Sequence, residues 1–204
     1  TNGYITFGSF NNPIKITTSV ISLWSRVLQK VPNSRLLLKF YDVYTNTTLT
    51  ERIAKGFAYQ GIAPDRVQFL NNTENRGLHL AQYNRIDIAL DPFPFSGATT
   101  TFEALLMGVP VISLLGDRFV ARMSSSLLHS AGLQAFSANS EEAYILRASE
   151  LAGNADFLNR IRGALRPILQ ASRLHNSHRF ARNLERVYQA AWRIQQTKMA
   201  QPSQ

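Results

Sequence analysis

Three consecutive threonines follow a short turn that contains both proline and glycine. The turn, Asp91-Pro-Phe-Pro-Phe-Ser-Gly97, comes directly after the apolar run Ile86–Leu90, and Thr99, Thr100 and Thr101 then begin a predicted helix. The first amides of a helix have no carbonyl partner, and the helix dipole places positive charge at the same end. With hydroxyl groups beside them, these amides predict a binding site for an anion such as a phosphate group.

Residues on either side of the threonines extend this predicted site. Gly97 has no side chain, which allows a ligand to approach the backbone closely. Glu103 lies one turn into the helix, where a carboxylate can accept both hydroxyls of a ribose, as acidic residues do in dinucleotide-binding folds. The alternative for Glu103 is structural, since negative charge stabilises the first turn of a helix. Asp91 is interpreted as a carboxylate that orients the turn.

A second polar loop contains Lys15 beside Asn11 and Asn12, after the first predicted strand. Lysine offers a point charge and three donors, which suit a phosphate oxygen whose negative charge grows as it departs. A solvated surface lysine is the alternative, but the carboxyl ends of parallel strands share one edge of a sheet, which brings Lys15 towards Thr99. Asn11 is interpreted as a brace for the turn, and Asn12 as a candidate ligand contact.

A third loop, between the third and fourth predicted strands, contains Arg76 and His79. At this edge of the sheet His79 can stack on a nucleobase, and Arg76 can reach a ribose or a phosphate. A histidine that only packs or is solvated is the alternative. The sequence shows no metal-ligand spacing, so we expect neither a metal nor another cofactor.

Apolar runs alternate with helical segments, which predicts an α/β fold with a doubly wound parallel sheet. The candidate strands are Tyr4–Ser9, Arg35–Lys39, Val67–Leu70, Ile86–Leu90, Val109–Leu114 and Gln134–Phe136. From Ser140 onward the pattern is helical. Residues 1–139 are therefore predicted to form a Rossmann-like core. Residues 140–204 are predicted to form helices that pack on the same lobe and end in a helical tail.

Composition limits the class of protein. The chain of 204 residues is 45% hydrophobic and contains no cysteine, which suits one domain and is compatible with the cytoplasm. No apolar run is long enough to predict a membrane span, and no signal peptide is visible. The net charge of +9 comes from scattered Lys and Arg without a nucleic-acid-binding signature, so no nucleic-acid partner is expected. A solvated basic surface, or affinity for an acidic partner or an anionic ligand, explains the charge.

Four segments together resemble the C-terminal catalytic lobe of the O-GlcNAc transferase and SPINDLY family of glycosyltransferases. They are Ile5–Ile16, Val31–Leu36, His79–Asp91 and Phe95–Pro110, and the likeness spans nearly the whole chain. The resemblance implies one Rossmann-like lobe of a GT-B fold, the lobe that holds most of a nucleotide-sugar donor. The first lobe and the tetratricopeptide repeats of that family are not in this sequence. The chain therefore resembles a fragment, inactive without the first lobe.

The resemblance also implies roles for individual residues. Lys15 would contact the diphosphate and stabilise the leaving group, with Asn12 nearby. His79 would pack on the base, and Arg76 would stand near the ribose. The remaining implied donor contacts, on the diphosphate and the ribose, are Thr99, Thr100 and Glu103.

The expected reaction is inverting transfer of GlcNAc from UDP-GlcNAc to protein Ser or Thr, with the acceptor bound by segments outside this chain. Two departures from the animal members concern the donor. Ala98 replaces a histidine before the threonines, and Gln82 replaces an arginine beside the base. SPINDLY-like members, for which the resemblance implies GDP-fucose, also lack that histidine. The alternatives are therefore a different donor such as GDP-fucose, or a non-catalytic basic domain that binds a partner.

Overall fold

The sheet at the centre of the protein confirms the predicted α/β class. A computed structural model describes residues 3–71 and 73–200; the remainder of the predicted units 1–139 and 140–204 lies outside the described residues. The strands are β1 (Thr6–Ser9), β2 (Arg35–Lys39), β3 (Val67–Leu70), β4 (Ile88–Leu90), β5 (Val111–Leu114) and β6 (Ser137–Ala138).

All neighbouring strands are parallel, in the order β3-β2-β1-β4-β5-β6. The chain starts at the centre, builds outward to β3 and then crosses back to β4, which is the doubly wound arrangement. The loops after β1 and β4 therefore leave the same edge on either side of the point where the strand order reverses. Ligands of open α/β sheets bind in this crevice.

The sixth strand differs from the prediction. Gln134–Phe136 forms a 3-10 turn, and the two residues after it pair with β5, Ser137 with Ser113 and Ala138 with Leu114. Phe136 suggested a strand because it is apolar, but its buried side chain instead anchors the 3-10 turn that precedes β6.

Helices lie between the strands and after β6. They are α1 (Thr18–Lys30), α2 (Thr47–Tyr59), α3 (Arg76–Ala81), α4 (Thr99–Leu106), α5 (Met123–Ser130), α6 (Glu141–Gly153), α7 (Ala155–Ala171) and α8 (Ser177–Ala200). Asn75 and Asn154 cap α3 and α7 by accepting hydrogen bonds from Leu78 and Phe157. Gly108 follows α4 at a φ of 74°, a conformation that favours glycine.

A buried chain of hydrogen bonds links the helical layer to the end of β4. The indole of Trp24 on α1 donates to the hydroxyl of Tyr144 on α6 over 3.1 Å, and that hydroxyl donates to the carbonyl oxygen of Asp91 over 3.1 Å. Trp24 and Tyr144 are both fully buried. The packing of α6 against α1 thus fixes the residue at which the threonine-containing turn begins.

The last helix differs from the predicted packing of the C-terminal helices on the lobe. α6 packs on α1 and α7 packs on α4, whereas every described side chain of α8 from Ser177 to Thr197 is exposed. Its large apolar residues include Phe180, Val187, Tyr188 and Trp192, each more than 60% exposed. Within the described residues, no helix is both long enough and apolar enough to cross a membrane.

Candidate functional site

A cavity of about 560 Å³ lies at the carboxyl edge of the sheet, between the loops that follow β1, β2 and β3 and the start of α4. Its lining combines aromatic rings with polar and charged side chains. The lining residues are Phe10, Phe40, Tyr41, Thr73, Asn75, Arg76, His79, Thr99, Thr100 and Glu103. Five residues proposed from the sequence, Arg76, His79, Thr99, Thr100 and Glu103, therefore meet around one cavity.

The N-terminus of α4 forms one wall of this cavity. Ala98 occupies the N-cap position and provides no side-chain hydrogen bond to the helix. The amides of Thr99, Thr100 and Thr101 lie in the first turn, where helix geometry supplies no carbonyl partner. These donors, and the positive end of the helix dipole, favour an anion at the wall where Thr99 and Thr100 line the cavity.

Thr101, which the sequence analysis included among the ligand-binding residues, faces the interior. It is 2% exposed, and its hydroxyl lies 2.7 Å from the hydroxyl of Ser124 at the start of α5. A helix rotates by about 100° per residue, so the third threonine cannot share the face of the first two. Thr101 therefore joins α4 to α5.

Gly97 and Asp91 shape the turn before α4. The amide of Gly97 donates to Asp91 Oδ1 over 2.7 Å, and Ser113 donates to Asp91 Oδ2 over 2.8 Å. A Cβ atom on Gly97 would lie 2.5 Å from Thr101 Oγ1 and 2.8 Å from Asp91 Oδ1. Glycine therefore permits the close approach of the protein's own side chains, and close approach by a ligand stays a prediction.

Asp91 orients the turn, as its position after β4 suggested. It is 2% exposed, and burial raises the pKa of its carboxyl to about 6, although hydrogen bonds from Ser124, Ser113 and Gly97 and the charge of Lys15 oppose this shift. At neutral pH it provides a buried negative charge beneath the turn. A carboxylate with this many donors is committed to the architecture of the site.

Lys15 lies beside the threonines and is joined to them by Asn11. Its ammonium donates to the carbonyl oxygen of Ser96 over 2.9 Å and to Asn11 Oδ1 over 3.3 Å, and it lies 4.2 Å from the centre of the Phe95 ring. Thr100 Oγ1 donates to the same oxygen of Asn11 over 3.0 Å. Burial lowers the pKa of Lys15, and the charge of Asp91 opposes this shift.

The two asparagines have different roles. Asn11 is 6% exposed and connects Lys15 with the start of α4, which places it at the centre of the site. Asn12 is exposed, and its side-chain oxygen accepts from the amide of Ile14, so it caps the 3-10 turn Pro13–Lys15. Asn12 thus stabilises the 3-10 turn, whereas Asn11 holds Lys15 and Thr100 together.

At the other end of the cavity, Glu103 is the centre of a polar cluster. His79 Nε2 lies 3.3 Å from Glu103 Oε2, the Tyr83 hydroxyl donates to the same oxygen over 3.4 Å, and Arg76 lies 3.8 Å from Oε1. Burial and the charge of Glu103 both raise the pKa of Tyr83, which therefore acts as a donor. Lys39, which the sequence analysis treated only as the end of a strand, lies 3.0 Å from His79 Nδ1.

A second cavity, of about 530 Å³, lies near the end of β5. Its lining is rich in serine on α5 and includes Arg122 and His129. Arg122 therefore lines this cavity, and its guanidinium donates to the carbonyl oxygen of Gly116 over 3.3 Å. The other predicted residues do not line it.

The first cavity has the polarity of a nucleotide-diphosphate site. The first amides of α4 lie at one end, and the Lys15 ammonium, which does not line the cavity itself, is joined to them through Asn11. A carboxylate and an imidazole lie at the other end among aromatic side chains. The amides and the ammonium suit phosphate, and the carboxylate and imidazole suit ribose and base. Among the described residues, no group of three or more His, Asp and Glu is arranged to hold a metal ion.

Comparison with known proteins identifies relatives over most of the chain. The model of glycosyl transferase family 41 matches residues 1–184. A tomato (Solanum lycopersicum) protein named as probable UDP-N-acetylglucosamine–peptide N-acetylglucosaminyltransferase SPINDLY is 37% identical over 94% of the chain, which covers 20% of that protein. An Arabidopsis thaliana protein named SEC, with the same probable activity in its name, is 30% identical over 92% of the chain and is covered to 19%. The chain spans about a fifth of these relatives.

Solved structures agree with the family match. A mutant of Thermobaculum terrenum O-GlcNAc transferase superposes with a TM-score of 0.91 at 36% identity, over 98% of this chain and 38% of that one. The C-terminal domain of a group 1 glycosyl transferase from Francisella tularensis has a TM-score of 0.59 at 12% identity, over 81% of this chain and 84% of that one. The second likeness concerns the fold alone.

Proposed function

Because the chain belongs to glycosyl transferase family 41, we propose that it is the donor-binding lobe of an inverting enzyme that transfers GlcNAc from UDP-GlcNAc to protein Ser or Thr. The donor occupies the cavity lined by Thr99, Thr100, His79 and Glu103. The acceptor protein binds to segments outside this chain. The lobe by itself binds nucleotide without transferring sugar.

One observation supports this proposal most strongly. Lys15 and Thr100 donate to the same oxygen of Asn11, although Thr100 is 89 residues away from that asparagine in sequence. The fold thus brings a cation and the free amides of α4 to one point at the carboxyl edge of the sheet. A diphosphate bound there meets both.

The proposed mechanism depends on charge at the leaving group. The hydroxyl oxygen of the acceptor attacks the anomeric carbon of the sugar while the bond from that carbon to the diphosphate oxygen breaks, and the hydroxyl proton is transferred to a general base. Negative charge on the diphosphate increases as this bond lengthens. Lys15 and the first amides of α4 are positioned to stabilise the increase, and fixed donors of this kind are most effective where charge develops.

Glu103 and its neighbours bind the nucleoside in this proposal. Glu103 Oε1, which lies 3.8 Å from the exposed guanidinium of Arg76, accepts from the ribose hydroxyls. His79, which is surrounded by Phe10 and Tyr83, presents a ring to the base. The aromatic lining offers stacking, which binds bases with little selectivity.

A second candidate keeps the family and changes the donor to a guanosine diphosphate sugar such as GDP-fucose. Two departures from the animal members favour it. Ala98, at the N-cap of α4, has only a methyl group and cannot make the donor contact that the resemblance implies for a histidine there. Gln82, in place of an arginine beside the base, is directed to its own helix, with Nε2 3.5 Å from the carbonyl oxygen of Leu78.

Thermal unfolding of the chain with millimolar UDP, GDP, UDP-GlcNAc and GDP-fucose tests both candidates. A nucleotide present at about 100 times its Kd adds roughly 2.7 kcal/mol to the free energy of unfolding, which raises the Tm by about 5–10 °C in a chain of this size. We expect the uridine ligands to stabilise the chain. Stabilisation by guanosine ligands alone supports the second candidate. Four unchanged melting curves, with a salt-dependent complex with an acidic macromolecule, would contradict nucleotide binding and favour a basic partner-binding domain.

A further inference from the structure

Lys39, the last residue of β2, is a lysine with no exposed surface. A lysine this deeply buried is rare because removal of an ammonium from water is costly unless it has a partner. Its Nζ lies 3.0 Å from His79 Nδ1 and 6.0 Å from the centre of the Phe10 ring. Lys39 neither lines the cavity nor has exposed surface, so a ligand in the cavity does not contact it directly.

We propose that Lys39 is a positioning residue that holds His79 in one tautomer and, through it, fixes Glu103 for binding the donor ribose. This inference rests on the proposed function only in its last step, the contact between Glu103 and ribose. The first step concerns the protein alone. In that step, Lys39 determines which nitrogen of the His79 ring carries the proton.

The ammonium group of Lys39 determines which ring nitrogen of His79 accepts a hydrogen bond. A lysine ammonium has three donors and no acceptor, so the ring nitrogen beside it must accept. His79 Nδ1 is that nitrogen. The neutral ring then carries its proton on Nε2, which lies 3.3 Å from Glu103 Oε2. The three side chains form a directed series in which Lys39 donates to His79 and His79 donates to Glu103.

The consequence for Glu103 is that one of its oxygens is occupied. Oε2 accepts from both His79 and Tyr83, whereas Oε1 lies on the side of Arg76. His79 and Tyr83 therefore hold Oε2 of the carboxylate, and Oε1 is directed towards the entrance of the cavity, beside Arg76. Without the ammonium, the His79 proton can move to Nδ1, and Nε2 would then present a lone pair to the carboxylate. That repulsion would turn Glu103 away from the geometry that ribose requires.

The electrostatic surroundings agree with this arrangement. Burial lowers the pKa of Lys39, and the carboxylates of Asp42 and Glu103 oppose the shift. The negative charge of Glu103 thus stabilises the ammonium of Lys39, which in turn helps to orient Glu103. A buried lysine whose only role was to fill space would not need a ring nitrogen at hydrogen-bond distance.

The first measurement is the tautomer of His79 by ¹⁵N NMR of the histidine-labelled chain, with His79→Gln to assign its signals. We expect the Nε2–H form in the unmodified chain and its loss in Lys39→Met, which keeps most of the unbranched side chain without the charge. Lys55→Met is the matched control, since Lys55 is exposed on α2 and pairs with Glu51 one turn away. An Nδ1–H form in the unmodified chain, or an unchanged tautomer in Lys39→Met, overturns the proposal.

The second measurement links the tautomer to the ribose. The Kd values of UDP and GDP are compared with those of 2′-deoxy-UDP and 2′-deoxy-GDP by calorimetry. The unmodified chain should prefer the ribonucleotide about tenfold, as expected for a hydrogen bond to a charged group. Lys39→Met should reduce that preference to less than about twofold while it retains most of the affinity for the diphosphate. An unchanged preference in Lys39→Met overturns the link to the ribose.

These measurements separate the inference from the proposed function. If the unmodified chain binds neither UDP nor GDP, the proposed function fails, and the NMR comparison still decides whether Lys39 sets the tautomer. If the chain binds a nucleotide and Lys39→Met leaves both tautomer and ribose preference unchanged, the function stands and the inference fails.

Discussion

Replacing Lys15 with alanine in the full-length protein that carries this lobe should reduce kcat by about 10²–10³-fold, as loss of one fixed donor to a developing negative charge does in other enzymes. The Kd for the nucleotide-sugar donor should rise by less than about tenfold. The ammonium interacts with the diphosphate of the bound donor, and this interaction strengthens as negative charge develops on the departing oxygen. The effect therefore falls mainly on turnover rather than on binding.

The measurement is steady-state transfer to an acceptor protein, together with calorimetric binding of the nucleotide. Lys55→Ala is the control because it removes the same charge from an exposed site on α2. Transfer by Lys15→Ala at the rate of the unmodified enzyme would contradict the catalytic role. Equal losses in kcat/KM and in binding, with kcat unchanged, would assign Lys15 to ground-state binding only.

Replacing Gly97 with alanine should destabilise the protein and disrupt the anion site together. The added Cβ would lie 2.5 Å from Thr101 Oγ1, 2.8 Å from Asp91 Oδ1 and 2.9 Å from Thr100 Oγ1. These atoms are held in place, since Asp91 also accepts from Ser113 and Thr101 contacts Ser124. We expect a loss of about 1–3 kcal/mol in the free energy of unfolding, the usual effect of overpacking.

The same change should weaken nucleotide binding by at least about tenfold, which corresponds to about 1.4 kcal/mol, because Thr100 must move from the start of α4. Gly163→Ala provides the matched control, as Gly163 lies within α7 with no atom near the position of an added Cβ. That control should stabilise the chain by up to about 1 kcal/mol. Denaturant unfolding and calorimetry measure both variants. A Gly97→Ala protein with unchanged stability and affinity would show that the turn is not as constrained as its contacts indicate.

The sequence was most informative where structure depends on neighbouring residues. The strand β2 has the predicted bounds, and Asn154 caps α7, because apolar periodicity and capping are local signals. The meeting of the loops after β1 and β4 was also predictable, since a doubly wound sheet places them at one edge. The helix α5 was not predicted because its serine-rich sequence has little helical preference.

Contacts between distant segments were beyond the reach of sequence patterns. Lys39 reads as the polar end of an apolar strand, and only the tertiary structure places it against His79. The role of Asn11 likewise depends on Thr100. The burial of Thr101 did have a signal, because Leu105 follows it by four residues and both therefore lie on the apolar face of α4. Placement in the cytoplasm and the identity of the donor stay predictions.

The most direct test of the account is a crystal structure of the chain with the nucleotide diphosphate that stabilises it. We expect the diphosphate to bind at the N-terminus of α4, within hydrogen-bond distance of the amides of Thr99 and Thr100 and of the Lys15 ammonium. We also expect the ribose hydroxyls at Glu103. A nucleotide bound instead in the serine-rich cavity beside Arg122 and His129 would contradict the account.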